Sequence, residues 1–378
     1  MQIEINSSEE AELKKQLEAK DDPESKRLNR FLSMPDLSRQ AGSPIAEIVQ
    51  KIISIPDFND FDTIKVPEIV PTDITFDLFD FPSDHPVRSK SHTYYANEKN
   101  ILRTHTTVMW YYYLMQSEIK ERIARRESVG SFCFGKVYRK DEIDRKHMPV
   151  FHNMDIWYLC PKKQKVITLE DLKDVLTEIA KTLFGDKKLY FNEDKYPYTD
   201  PSLDMEMDKG DGNWLEILGS GVVKGSVLDK LGVDSSIYNG WACGPGLERL
   251  AMISMDLPDI RLFWSDDSRV KRQLKLGTKF IPVSKYPAIT RDISFVVSKD
   301  FIPNNYFDLI RDLGGDLVEE VRLIDKYEDA AKFGSDKMSY TYRIIYRSNE
   351  RTLVSSEIDA IQDEIYKQTA KQFKAELR

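Results

Sequence analysis

With 378 residues, 41% of them hydrophobic, the chain is long enough for two or three domains and a sizeable core. Its 63 acidic and 55 basic side chains leave a formal charge of −8, which excludes nucleic-acid binding by bulk basicity and confines such contacts to local patches acting over about a Debye length, ~8–10 Å. Three scattered cysteines, Cys133, Cys160 and Cys243, exclude a disulfide framework and a zinc cluster and point to a reducing compartment.

The first 43 residues read as a charged extension whose opening stretch, to about residue 28, is a solvated or partly disordered arm. That stretch is acidic and lacks an apolar centre, unlike a secretory signal or an Arg-rich transit peptide. No apolar run approaches the ~18 residues of a membrane span. The expectation is a soluble cytoplasmic protein, or an organellar one that has shed its transit peptide. Ser43-Pro44 opens a helix over Ile45 to Ile53, whose apolar residues recur at helical spacing. TIKVPEIV, FCFGKVYR, VFHNMDIWYLC and WLEILGSGVV are short, β-branched and aromatic, and predict an antiparallel sheet. LEDLKDVLTEIAKTLFG predicts an amphipathic helix closed by Gly185. A junction at 275–283 separates a large domain, 44–274, from a small one, 284–378. In the latter the order strand, helix, strand, strand, helix suggests an α+β sandwich, serving either recognition or only packing and dimerisation. Repeats and low-complexity tracts are absent.

Two motifs carry chemistry. Arg139 and Glu142 stand in an Arg-x-x-Glu spacing at the end of an apolar strand, a charged loop with His147 follows, and Phe151-His152 begins a returning strand. Downstream, Gly244-x-Gly246-x-x-Arg249 runs into a helix, with WLEILGSG lying between the two motifs. A dinucleotide loop would need a third glycine where Arg249 stands and a β-α-β crossover carrying an acidic residue; neither is present. All five histidines lie between His85 and His152, with no i, i+4 pair and no cysteine at ligand spacing, so a histidine metal site is not expected.

Together the motifs resemble motifs 2 and 3 of the class II aminoacyl-tRNA synthetases. DHPVR (from Asp84), TYYANEKNILRTHTT (from Thr93), YPYTDPSLDMEM (from Tyr196) and DIRLFW (from Asp259) narrow the resemblance to phenylalanyl-tRNA synthetase, and a second domain of that family on the same short chain resembles its single-chain, organelle type. SKYPAITRDISFVV, GGDLVEEVRLIDKY and YRIIYRSNERTL look like that family's anticodon-binding domain. The resemblance implies an α+β protein: a class II antiparallel sheet flanked by helices, then a ferredoxin-like anticodon-binding domain whose edges present Arg and Tyr to single-stranded bases. It also implies a monomer that uses ATP and Mg²⁺ to join phenylalanine to tRNA(Phe).

Within it, Arg139 is expected on the α-phosphate and Arg249 on the γ-phosphate and adenine side, since a guanidinium fork offers paired donors and keeps its charge. Glu142 would accept from the adenine amino group, Phe151 stack on the purine, His147 reach the phosphates, Glu216 help hold magnesium, and Gly244 and Gly246 line the nucleotide. The amino-acid pocket would comprise His105, Thr107, Trp110, Asn153, Asp155, Tyr196, Tyr198, Gly219, Gly221, Ala242 and Cys243. Here the chain departs from the family. His-Thr-Ser with a Gln three residues on becomes His105-Thr106-Thr107 with Trp110, and Phe-His-Gln-x-Glu becomes Phe151-His152-Asn153-Met154-Asp155. The Phe-Pro-Phe clamp becomes Tyr196-Pro197-Tyr198, and Ala-Phe-Gly becomes Ala242-Cys243-Gly244. Asp155 is then either the partner of the substrate ammonium or a structural acid satisfied by a neighbouring arginine. The added tyrosine hydroxyls leave a second substrate in view, tyrosine or another aromatic amino acid. A catalytically silent tRNA-binding module is the competing class of function.

Overall fold

The computed structural model describes residues 1–140, 144–208, 210, 214–348 and 350–378. The chain divides into two compact units, Met1–Phe280 and Ile281–Arg378.

The first unit is built on an eight-stranded sheet in the order β1-β2-β5-β6-β10-β9-β8-β7. Its strands are β1 (Gln2–Glu4), β2 (Asp62–Lys65), β5 (Val129–Tyr138), β6 (Val150–Pro161), β7 (Leu189–Asp194), β8 (Thr199–Asp208), β9 (Trp214–Val223) and β10 (Tyr238–Pro245). β1 and β2, and β2 and β5, pair in parallel, and the remaining neighbours are antiparallel. A small ribbon pairs β3 (Ile69–Pro71) with β4 (Asn100–Leu102). The run TIKVPEIV is therefore not one strand: Pro67 has no N–H for a ladder, and the segment splits between two sheets.

Helices α1 (Ser8–Glu18), α2 (Pro23–Ser33), α3 (Pro44–Ile53), α4 (Met109–Leu114), α5 (Ser117–Ala124), α6 (Leu169–Phe184), α7 (Gly225–Lys230), α8 (Leu247–Met255) and α9 (Ser268–Lys271) complete the unit. α3 begins where the Ser43 hydroxyl accepts from the Ile45 N–H, with Pro44 supplying the first helical residue, and it buries Ile45, Ile48, Val49 and Ile52. At roughly 1.5–3 kcal/mol for each fully buried isoleucine, this face holds the helix in place better than its backbone propensity does. α6 opens with a reciprocal capping box between Thr168 and Asp171 and closes at Gly185, whose φ is 71°.

The opening stretch, to about residue 28, departs from the solvated arm expected. β1 joins the sheet edge, and α1 and α2 bury Leu13, Leu17, Leu28 and Phe31 against Tyr94, Leu102, Tyr138 and Val150. Charge hid this, because each helix shows polar residues on all but a narrow stripe of leucine and phenylalanine. The buried Lys136 ammonium reinforces the seat by donating to the Leu32 and Met34 carbonyls and pairing with Glu68 at 3.2 Å.

The second unit runs β11 (Ile289–Ser298), α10 (Pro303–Gly314), β12 (Val318–Tyr327), α11 (Ala330–Phe333), β13 (Lys337–Tyr346), α12 (Ser355–Phe373) and β14 (Glu376–Leu377). Its sheet order β12-β13-β11-β14, all antiparallel, is that of a ferredoxin-like fold. Tyr340, Tyr342 and Tyr346 point inward and pack with Phe295 and Tyr306 under the helices. The alternate positions put Ser294, Thr341, Asp292 and Arg343 on the other face, where Arg343 bonds both oxygens of Asp292 at 2.8 Å.

Leu28, 1% exposed, tests whether the N-terminal helices are part of the first unit's core. Leu28→Ala is expected to cost about 2–5 kcal/mol, measured by denaturant unfolding. A loss below about 0.5 kcal/mol, the range of surface substitutions, would show that α2 does not pack as described.

Candidate active site

A ligand can lie on a sheet only where side chains leave room. On β9, Gly219 sits between Asp204 of β8 and Gly244 of β10, and Gly221 sits opposite Ala242. Of these, Gly219, Ala242 and Gly244 floor a cavity of about 360 Å³ whose walls come from β6, the loop before it, the Tyr196–Thr199 turn and the start of α8.

Of the residues expected at a nucleotide, Arg139, His147, Phe151, Glu216, Gly244, Gly246 and Arg249 all line this cavity, while Glu142 lies outside the described residues. Arg139 follows the end of β5, donates from Nε to the Thr104 carbonyl at 2.9 Å, and holds its guanidinium 5.3 Å from the centre of the Phe151 ring. Phe151 and Asn153 alternate along β6 on the cavity side. His147 is bonded within its own loop, Nδ1 lying 2.9 Å from Asp144.

Glu216 and Arg249, expected to hold a metal and a phosphate respectively, hold each other, with Nη1 to Oε1 at 2.6 Å. Both side chains are nearly half exposed, a setting in which an ion pair contributes about 0–1 kcal/mol. An incoming anion can therefore claim the guanidinium at little cost. Among the described residues no three metal-ligating side chains cluster. The half-exposed Glu216 carboxylate still suits Mg²⁺, which keeps much of its water and binds one or two carboxylates alongside substrate phosphates.

His105, Thr107, Asn153, Asp155, Tyr196, Tyr198, Gly219, Ala242 and Cys243 surround the other end of the cavity. Two expected contacts do not reach it. Trp110 lies behind Asp155 and donates its indole N–H to Oδ1 at 3.0 Å, while the Thr107 hydroxyl donates to Oδ2 at 2.8 Å. Trp110 thus supports the carboxylate, and its stacking on Trp157 at 5.1 Å fixes the indole. Gly221 lies under Thr199, whose side chain a Cβ would meet at 2.4 Å, so it serves packing. Gly219 has a more direct part, since a Cβ there would stand 2.3 Å from the Tyr196 hydroxyl. That hydroxyl donates to Asp204 at 2.5 Å.

Asp155 is 4% exposed, and its two oxygens accept from Trp110 and Thr107. Burial pushes its carboxyl up to about 7, against the pull of its two donors. Burial, followed by the charges of Arg139 and Arg103, pushes His105 down to about 3, so the imidazole is neutral. Both its ring nitrogens face no protein partner, leaving one donor and one acceptor for a ligand. Burial and then Asp155 push the Tyr198 phenol up to about 12. Lys146, Met148, Leu218, Ser220, Glu248 and Ile260 also line the cavity and were not anticipated, since no spacing marks them.

The family profile "tRNA synthetases class II core domain (F)" matches residues 27–274, and "Ferredoxin-fold anticodon binding domain" matches 284–378. The chain is similar to the chloroplastic/mitochondrial phenylalanine-tRNA ligase of Arabidopsis thaliana, 38% identical over 82% of this chain and 71% of the relative. It is also similar to the mitochondrial phenylalanine-tRNA ligase of Mus musculus, 38% identical over 80% and 72%. The mitochondrial enzyme of Saccharomyces cerevisiae is 31% identical over 88% and 87%.

The raised Asp155 carboxyl has a consequence for stability. In the unfolded chain an aspartate ionises near its ordinary value of 3.8, whereas the folded site keeps its proton to about 7. The stability gained from this group is therefore full below the unfolded value and is lost as pH rises through the folded one. Asp155→Asn, which does not titrate, is expected to gain stability relative to the parent between about pH 5 and pH 8. Urea unfolding of both proteins at the two pH values checks this; a constant difference would mean Asp155 ionises normally.

Proposed function

The chain belongs to the phenylalanine-tRNA ligases among the class II synthetases, and from that premise we propose that its cavity activates phenylalanine with ATP and passes the acyl group to tRNA(Phe). The carrying observation is that one cavity gathers two arginines, an aromatic face for a purine and a buried acid beside an aromatic clamp. The amino acid's carboxylate oxygen forms a bond to the α-phosphorus as the bond to pyrophosphate breaks, and the tRNA ribose hydroxyl then displaces AMP. No protein nucleophile is needed, so alignment and charge neutralisation carry the rate.

Arg139 neutralises the α-phosphate and the attacking carboxylate, Arg249 the outer phosphates, and Phe151 stacks on the adenine, whose amino group Glu142 accepts. Glu216 would hold Mg²⁺, which would supply positive charge to the phosphates. His105, neutral and unpartnered, hydrogen-bonds the amino acid, and Asp155 receives its ammonium. The two tyrosine hydroxyls favour phenylalanine over tyrosine: that of Tyr196 is engaged by Asp204, and that of Tyr198 lies beside Thr107 and Asp155. Neither is kept for a hydroxyl on the ligand. A pocket without such a partner rejects the hydroxylated analogue by only roughly 10²-fold. The enzyme acts as a monomer in the cytoplasm or an organelle matrix, and no helix among the described residues is long and apolar enough to cross a membrane.

ATP-pyrophosphate exchange across a panel of aromatic amino acids, followed by charging of tRNA(Phe), tests the reading. Tyrosine used better than phenylalanine would replace it, and exchange with no amino acid would leave the silent module. Arg139→Ala is expected to lower the exchange rate by ~10²–10³ with the fold intact; activity within a few-fold of the parent would remove Arg139 from the phosphates. Asp155→Asn is expected to reduce kcat/KM for phenylalanine roughly ten- to a hundredfold while the KM for ATP stays nearly constant. Parallel shifts in both KM values would return Asp155 to a structural role.

A further inference from the structure

His152 lies outside the cavity, held by three unrelated parts of the chain, one of which, Glu248, lines it. The imidazole is fully buried. The Leu37 N–H donates to Nε2 at 2.9 Å, which fixes that nitrogen as an acceptor and places the ring proton on Nδ1. Asp36, 3.4 Å from Nε2, therefore finds no proton there. Nδ1 stands 2.6 Å from Oε1 of Glu248 and donates to it, while the backbone N–H of His152 donates to Oε2 at 2.8 Å. Trp264 stacks on the ring at 5.7 Å.

Glu248 sits in the first turn of α8, immediately before Arg249, and lines the cavity. The helix starts at Gly246 with no side-chain cap, and Gly246 is bridged to Asn153 of β6. Both carboxylate oxygens of Glu248 are thus bonded to one residue of the neighbouring strand. A carboxylate buried this deeply has to keep such donors, because leaving one unmet is costly. The two bonds fix the rotation and height of the first turn of α8, and with it the point from which the Arg249 side chain leaves the helix.

We propose that His152 is a positioning residue for the nucleotide end of the cavity, acting through Glu248 to set Arg249. The proposal rests on the ATP reading of that end given above. His152→Phe keeps a ring against Trp264 but offers neither donor nor acceptor. His152→Asn places an amide N–H close to where Nδ1–H was, restoring the bond to Glu248.

The test measures KM for ATP and for phenylalanine in pyrophosphate exchange by the full chain, with calorimetry of ATP binding in the absence of amino acid. His152→Phe is expected to raise the KM for ATP about tenfold or more, the range of one lost charge-assisted bond. The KM for phenylalanine should stay within about twofold, and His152→Asn should recover most of the loss. Glu248→Gln, which must turn an amide N–H toward one of the two donors, should repeat the selective effect on ATP. Equal shifts in the two KM values, no shift, or an asparagine variant as impaired as the phenylalanine one would overturn the positioning role. A parent protein that exchanges phenylalanine but whose His152→Phe variant binds ATP normally would overturn it while leaving the proposed function standing. A parent that binds no ATP would overturn both.

Discussion

A sheet that offers its face to a ligand must give up the side chains that would otherwise fill it, and the first unit depends on how that loss is managed. Gly219 and Gly244 are neighbours in the ladder, so one missing side chain deepens the hollow left by the next. Such bare backbone loses packing and tolerates water, and the surrounding residues compensate. Tyr196 leans over Gly219, Thr199 covers Gly221, and the indole pair Trp110 and Trp157 supports the acid at the far end. The aromatic wealth of this unit therefore serves to support a cavity as much as to fill a core.

Much of this architecture is legible in the sequence because its signals are local. Ser43-Pro44 and Gly185 mark helix ends through their own hydrogen bonding and backbone preferences, and the alternation in VFHNMDIWYLC puts Phe151, Asn153 and Asp155 on one face without outside help. Signals fail where tertiary neighbours decide. The stretch from Thr199 to Asp208, TDPSLDMEMD, is acidic with two prolines nearby and has poor strand propensity, yet it pairs along β7 and β9. Trp110 reads as a lost amide when only its position in a motif is considered, whereas in space its N–H replaces the missing donor. His152 stands in a motif, but its partners are invisible in a linear reading, because Leu37, Glu248 and Trp264 meet it only after folding.

The two units manage polarity differently. The first buries ionic groups and satisfies them with backbone: the Arg103 guanidinium, for example, donates to the carbonyls of Lys136, Val66 and Pro67. Such a group is fixed by several segments at once and cannot shift without breaking several bonds. The second unit keeps its charges at the surface in pairs, Arg343 with Asp292 and Arg291 with Asp359, over a core rich in tyrosine rings. Contacts made by its open face therefore begin with guanidinium and hydroxyl groups.

The ion pair between Glu216 and Arg249 balances these two charges against each other before anything enters. A simple anion gains little there: to take the arginine it must leave the glutamate without a partner, and one attraction merely replaces another. A ligand that arrives with both signs of charge can satisfy both partners in the same event, so the count of opposite-charge contacts rises. A pair this weak bars nothing, but it sets an order of preference: a solute that brings its own counter-ion gains more at this place than a simple anion of the same charge.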